Sequence, residues 1–410
     1  MSIKQLLKKE NLSKFYDLCM SVGSIVVFNM VIQLFIYPFI ADKLGNEGFG
    51  QVRSMMALIT ITSCTLGVAA NYSRMMTEKK YSPSNSNYIY ILLGGSLVCI
   101  AIGIAYMCGL GAFSPIGAIL FAVLIILTAF RYYSDVDFKL KTDFFGYMIF
   151  YVSIAAGYSA GILVYMLTNQ WFVSFIVGEV VGILFVILRG SIYKKPFAKP
   201  DASFPMVAKS MSYLLSSTLM ENLTLNADGI VLVAFCGEEA VAIFYVASLL
   251  GKVIAMLSTP LNSLIISYLA KSNMRLNGKF WTVVSLVVAV LGVLAFAACR
   301  VASPIYIGIF YPNLTETTLP MLSAAILGQV FYFISGILLI VLLHFDGEKN
   351  QFIMNAAYCA EYFILVTAFT ATQGLAGFVW GTLIANAIRF FGVIALGFVS
   401  ALKASKNKDC

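Results

Sequence analysis

Charge is what this sequence has least of. Lys, Arg, Asp and Glu make up 11% of its 410 residues, against about 25% in a soluble domain. So few charges cannot cover a water-facing surface, which excludes an ordinary soluble fold. Histidine is almost missing. His344 stands alone, so no histidine metal cluster and no His-based catalytic triad is available. The eight cysteines (Cys19, Cys64, Cys99, Cys108, Cys236, Cys299, Cys359 and Cys410) contain no CxxC pair and mostly lie in apolar runs. They read as small apolar fillers rather than a disulfide frame or a metal site. No GxxxxGK[ST] segment occurs, so no phosphate-binding loop for ATP hydrolysis is present.

Apolar length is what the chain has instead. Hydrophobic residues reach 60% and the mean hydropathy is +0.90. The apolar runs extend for about 20 residues without in–out alternation, which selects spanning helices over a barrel. The fold class expected is an all-α polytopic membrane protein. About twelve transmembrane helices are predicted, at 15–40, 48–73, 87–109, 112–131, 146–167, 171–189, 207–235, 240–270, 280–300, 319–343, 351–371 and 375–402. The first run is too long for a cleaved signal peptide and ends in no small-residue cleavage site, so it is expected to stay as a span. Trp171 and Trp281 fall near span ends, where interfacial anchors belong.

The basic residues orient these spans. With the N-terminus inside, only Lys43 and Arg300 fall in outer segments, and Arg53, Lys252 and Arg389 fall within spans. The other 22 of the 27 Lys and Arg lie on the inner side. This is the positive-inside asymmetry, and it places both termini in the cytoplasm. It also accounts for the net charge of +8 without a nucleic-acid partner. The longest outer segment, near 301–318, is too short for a domain. That weighs against a membrane-embedded glycan polymerase or ligase, and no enzyme activity is expected.

Two stretches look alike. Leu44-Gly45-Asn46-Glu47-Gly48-Phe49-Gly50-Gln51-Val52 and Cys236-Gly237-Glu238-Glu239-Ala240-Val241-Ala242-Ile243-Phe244 each carry a glycine, polar or acidic residues, then small and apolar ones. A glycine ends the incoming helix and an acidic group favours the start of the next. Their 192-residue offset divides the chain into two six-helix lobes, 1–190 and 207–410, joined by a cytoplasmic linker at 191–206. Six helices is an even number, so the halves are parallel repeats, an arrangement common among alternating-access transporters.

These two hairpins, together with Asp228-Gly229-Ile230-Val231-Leu232, resemble the Wzx-type polysaccharide flippases. That family belongs to the multidrug/oligosaccharidyl-lipid/polysaccharide exporter (MOP) superfamily. Arg53 departs from the family pattern, as do Ala240 and Ala242. The resemblance implies two lobes around a central cavity in the bacterial inner membrane. It implies a flippase that moves an undecaprenyl-pyrophosphate-linked oligosaccharide to the outer leaflet for O-antigen or related polysaccharide biosynthesis, beside glycan polymerase machinery. An ion-coupled multidrug or cation antiporter of the same superfamily is the nearest alternative.

Seven ionisable groups fall within predicted spans, where each costs at least about 2.5 kcal/mol to insert and so faces the bundle interior. Arg53, Lys252 and Arg389 are the substrate-binding candidates, because cations suit a pyrophosphate. The 192-residue offset carries Arg53 onto Tyr245, one heptad before Lys252, so the two cations are expected on equivalent helix faces. Glu221, Asp228, Glu361 and Glu179, with the amides Asn222 and Asn226, are the candidates for ion coupling or a polar cavity. Glu221 and Asp228 are seven residues apart and are expected on one face of the seventh span. Coupling to H⁺ or Na⁺ is the only cofactor requirement anticipated. Simple pairing is the competing reading: Lys252 with Glu221 or Asp228, and Arg389 with Glu361. Pro260 is expected to kink the eighth span.

Overall fold

The computed structural model describes residues 20, 23–256, 261, 265, 269, 276–346 and 348–406. Pro260, and with it the expected kink of the eighth span, lies outside the described residues, as do the basic residues up to Lys14. Among the described residues the chain is almost entirely helical, with no strand.

Nine of the described helices are long and apolar enough to cross a membrane, and a bent pair makes a tenth crossing. Two of these ten are each too long for one crossing. Gly23–Glu78 has 56 residues, about 84 Å of helix against a hydrocarbon layer of about 30 Å. It breaks at Gly45, whose φ of 72° and ψ of −178° are not helical. It therefore forms α1 before the glycine and α2 after it, and α2 runs on to Tyr81. Glu348–Lys406 breaks likewise at Gly374, at φ 59°, into α11 and α12. That break is a full reversal. Tyr358 Oη meets Asn386 Oδ1 at 2.7 Å and Tyr362 Oη meets Thr382 Oγ1 at 3.3 Å, so the two arms run antiparallel. Between them lie α3 (Asn85–Gly109), α4 (Pro115–Ser134, continued by a short turn of helix Val136–Lys141), α5 (Phe144–Thr168) and α6 (Phe172–Arg189). Next come α7 (Phe204–Leu225 and Asp228–Cys236), α8 (from Glu238 to Met256), α9 (Gly278–Phe310) and α10 (Leu322–Asp346). Among the described residues the fold is thus all-α, with about twelve spans.

Local chemistry sets the helix ends. Ser114 Oγ accepts the Gly117 N–H at 3.0 Å with Pro115 in the first turn, so a short connection suffices to separate α3 from α4. Asp143 caps α5 through the Gly146 N–H at 2.8 Å, and Asn277 caps α9 through the Phe280 N–H at 2.8 Å. Each cap satisfies an amide that the helix leaves unbonded. The segment 301–318, expected outside from the sequence, is itself helical. α9 continues through Pro304 to Phe310, and short turns from Pro312 to Met321 lead into α10. Trp281 departs from expectation. It is fully buried and its Nε1–H donates to the Ile394 carbonyl at 2.9 Å, so it packs α9 on α12 instead of meeting the interface. It sits at a span end, but on the inward face of its helix.

The repeat has a local counterpart. Gly45 and Gly237 are 192 residues apart and share one backbone shape, φ 72° with ψ −178° and φ 85° with ψ 177°. L-residues with a side chain avoid this region.

The chain forms two compact units. One holds the residues up to Lys43 and Met55–Asn222; the other holds Leu44–Ser54 and the residues from Leu223 on. The opening of α2 thus belongs with the second unit, where Gly50 lies so close to Glu238 that a Cβ would collide with the Glu238 carbonyl oxygen. The first half of α7 belongs with the first unit, where Asn222 Nδ2 donates to Thr65 Oγ1 at 2.8 Å. The segment 191–206 is docked on the α2–α3 turn of the first unit. Asn85 Nδ2 donates to the carbonyls of Ser191 and Lys194, and Asp201 accepts from the Ser84 N–H at 2.7 Å and from Asn87 Nδ2 at 2.8 Å. Partial burial would raise the Asp201 pKa. The hydrogen bonds from Ser203, Asn87 and the Ser84 and Ser203 amides outweigh it and hold the carboxyl well below its usual range.

Candidate functional site

The second unit gathers three of the sequence-predicted residues around a break in α7. The helix stops after Leu225, bends by 58° and resumes at Asp228 in π-helical form. No proline causes this. The Gly229 N–H bonds back to the Asn226 carbonyl at 3.2 Å and the Ile230 N–H to the Ala227 carbonyl at 3.1 Å, a tightened turn followed by a widened one. Broken backbone at membrane depth persists only where protein or a cavity receives its polar groups. Here a small cavity does so. Its free volume of about 10 Å³ is room for about one water. Asp228, Lys252, Gln329, Tyr358, Thr382 and Asn386 are among its lining residues.

Lys252 Nζ donates to Asp228 Oδ2 at 2.6 Å, with side-chain exposures of 19% and 4%. This is one of the pairings weighed from the sequence. The second, Arg389 with Glu361, is not formed. The α11–α12 register sets Arg389 beside Tyr358, one turn from Glu361. The guanidinium lies 4.4 Å from the Tyr358 ring centre and 4.6 Å from that of Tyr332. Arg389 is buried and its Nη1 has no hydrogen-bond partner, and neither does Glu361 Oε1.

Arg53, in the α2 segment that belongs to this unit, lies over the Tyr245 ring at 3.9 Å. The residue pair that the 192-residue offset makes equivalent is therefore in direct contact. Lys252 Nζ is 5.8 Å from the same ring. Tyr245 stands between Arg53 and Lys252, and Tyr358 and Tyr332 stand between the Lys252 cavity and Arg389. Three cations are strung together through aromatic faces, each contact contributing about 0.5–2 kcal/mol. Asp228 is the one carboxylate that lines the cavity among the described residues.

Other sequence candidates lie elsewhere. Glu179 is locked in the first unit. Arg131 Nε donates to its Oε2 at 2.8 Å, Arg131 Nη2 to its Oε1 at 3.3 Å and Tyr158 Oη to Oε1 at 2.7 Å. Glu221 is exposed on the far side of the α7 break from Asp228. A bend of 58° interrupts the helical period, so the shared face expected for these two acids is not formed. Asn222 bonds to Thr65, and the Asn226 carbonyl takes part in the break itself.

Sequence reasoning missed Arg131, which it counted with the inner segments, and the uncharged polar lining of the cavity. That lining had a readable sign. Tyr358 with Tyr362 and Thr382 with Asn386 each repeat at four residues, one polar stripe per helix.

No protein-family model matches the chain, and no curated protein matches it by sequence. Solved structures do match it. An inward-facing multidrug resistance MATE family transporter of the MOP superfamily superposes with a TM-score of 0.73 at 13% identity, over 92% of this chain and 95% of that one. The two chains share a fold. The lipid II flippase MurJ, in an inward closed conformation, gives a TM-score of 0.67 at 15% identity, over 96% and 90% of the two chains. The Vibrio cholerae MATE transporter VcmN, in its bent form, gives 0.58 at 14% identity, over 95% of each. The chain is a multi-pass membrane protein whose structural neighbours are transporters and flippases.

Proposed function

We propose that this chain is a Wzx-type flippase. It moves a polyprenyl-pyrophosphate-linked oligosaccharide from the cytoplasmic to the outer leaflet of a bacterial inner membrane, with both termini cytoplasmic. Its product would feed a glycan polymerase in O-antigen or related polysaccharide biosynthesis. The observation that carries this reading is the row Arg53–Tyr245–Lys252–Tyr358–Arg389 in the second unit, three intramembrane cations beside one cavity carboxylate. A diphosphate brings at least two negative charges into a space from which lipid excludes water, and a cation-rich row compensates them. Arg389 keeps a donor without a partner for such an oxygen. The headgroup would bind one state of the two units more tightly than the other and so shift the equilibrium between them, while the prenyl tail stays in lipid.

A cationic-drug antiporter has the same fold but needs acid-rich surroundings for its cargo. Two of the acids that kept this alternative open, Glu179 and Glu221, lie outside the row.

The test is flipping by the purified chain in vesicles loaded with undecaprenyl-pyrophosphate-linked oligosaccharide, read by a glycan-cleaving enzyme added outside. Arg53→Ala, Lys252→Ala and Arg389→Ala combined should slow flipping at least about tenfold at equal folded protein, the counterpart of about 1.4 kcal/mol. Unchanged flipping by the triple variant contradicts the cation row. Absence of flipping by the native chain, with H⁺- or Na⁺-driven efflux of cationic dyes, replaces the flippase with the antiporter.

A further inference from the structure

The segment between α6 and α7 is held at both ends and bare in the middle. Ile192 is buried, and Tyr193 Oη donates to the Phe130 carbonyl at 2.9 Å. The Ser191 N–H and Oγ both donate to Asp137 Oδ1, at 3.0 and 2.8 Å. At the far end Asp201 takes its bonds from Ser84 and Asn87. Phe130 falls at the close of the fourth apolar run and Asn87 at the start of the third. Both anchors therefore sit where hydrocarbon gives way to headgroups. Seven residue steps separate Lys194, whose carbonyl Asn85 holds, from Asp201. Out and back, they carry the tip at most about 12 Å from its anchors, against a headgroup layer of about 5–8 Å.

That tip is Lys194-Lys195-Pro196-Phe197-Ala198-Lys199. Two turns shape it: the Lys194 N–H bonds to the Ser191 carbonyl at 3.1 Å and the Ala198 N–H to the Lys195 carbonyl at 3.3 Å. Pro196 and Pro200 stiffen it further. Phe197 is left 71% exposed. All three lysines are exposed, and among the described residues none of them is in an ion pair. The neighbouring acids are spent elsewhere, Asp137 on Lys141 and Ser191, Asp201 on Ser84, Asn87 and Ser203. An apolar ring flanked by free cations at this depth has the chemistry that enters the headgroup boundary of an anionic leaflet.

We infer that the 194–199 tip docks on anionic phospholipid headgroups of the cytoplasmic leaflet, with Phe197 inserted below the phosphates and Lys194, Lys195 and Lys199 on them. Three unpaired cations make the docking depend on the charge of the lipid, not only on its acyl chains. The first unit is thereby tied to leaflet charge as well as to hydrocarbon. The inference stands apart from the flippase reading, because it needs no substrate and no transport.

Fluorescence quenching in vesicles tests it. The full chain is reconstituted in phosphatidylcholine, alone or mixed with phosphatidylglycerol, both with brominated acyl chains. Phe197→Trp places a fluorophore at the tip, and the native chain with its own three tryptophans gives the background. In the mixed vesicles bromine should quench the added emission several-fold more than in phosphatidylcholine alone. Salt at about 1 M, which cuts the screening length to about 3 Å, should remove the difference. Lys194→Gln, Lys195→Gln and Lys199→Gln together, in the Phe197→Trp chain, should remove it too. Lys194→Arg, Lys195→Arg and Lys199→Arg together should preserve it. Unquenched emission in the mixed vesicles places the tip in water, open to some other partner, and overturns the inference. Quenching that is equal in the two lipids, or that survives loss of the lysines, also overturns it, because the ring would then insert without reading charge.

Discussion

Each compact unit contains a buried ion pair, and the two are built differently. In the first unit Arg131 grips Glu179 through two nitrogens, with side-chain exposures of 3% and 2%. Tyr158 fills a further acceptor, and the guanidinium lies 3.6 Å from the Tyr132 ring centre. The surrounding helices are in backbone contact: a Cβ on Gly161 would collide with the Ser174 carbonyl oxygen. In the second unit Lys252 makes a single contact to Asp228 beside a cavity and a helix break. A planar fork held through two nitrogens fixes a fold, whereas a flexible ammonium at a cavity edge is able to change partners. Intramembrane charge alone does not distinguish these jobs; the number of contacts in each pair, and the cavity beside the second, do.

The comparison breaks first at Glu179. Glu179→Gln leaves Arg131 buried without its counter-charge, and stability should fall by about 3–5 kcal/mol. Loss of the monodisperse peak and of thermal resistance in detergent would register it. Replacing both partners with leucine should cost less than the single change, because no charge is then stranded.

Tyr245→Leu removes the aromatic face between Arg53 and Lys252. It should cost about 0.5–2 kcal/mol of stability, while Tyr245→Phe, which keeps the ring, should cost less. Thermal melts of the two variants side by side check this.

The smallest effect belongs to the docked linker. Asp201 has a folded-state pKa below its unfolded value of about 3.9. Its contribution is therefore present above that value and is lost as pH falls through it toward the folded pKa. Amide protection across 190–203, measured against the intrinsic exchange rate at each pH, should be high at pH 6 and fall below about pH 4. Asp201→Asn should lower that protection at both.

Much of this architecture was legible because membrane helices advertise themselves. Span number and order followed from apolar length, and Gly45 and Gly237 marked equivalent turns because only glycine tolerates their φ. The break of α7 was not legible. Thr224-Leu225-Asn226-Ala227-Asp228 contains no proline, and the bend follows from where its polar groups find partners. That break also undid the Glu221–Asp228 stripe, since helical spacing predicts a shared face only while the helix continues. Arg131 with Glu179 was hidden for another reason: 48 residues separate them, and a position near a span end looks interfacial until the partner helix is in place. Contact between Arg53 and Tyr245 was half-visible, since the repeat made them equivalent without saying that they touch.

The most direct test of the division of labour compares glycan export per folded protein for Lys252→Met and for Arg131→Leu with Glu179→Leu, in cells that depend on this chain for export. The double leucine variant, once folded, should export at near-native rates. Lys252→Met should fold but export at least about tenfold more slowly, equivalent to about 1.4 kcal/mol. Full export by Lys252→Met, with export lost by a well-folded double leucine variant, would contradict it.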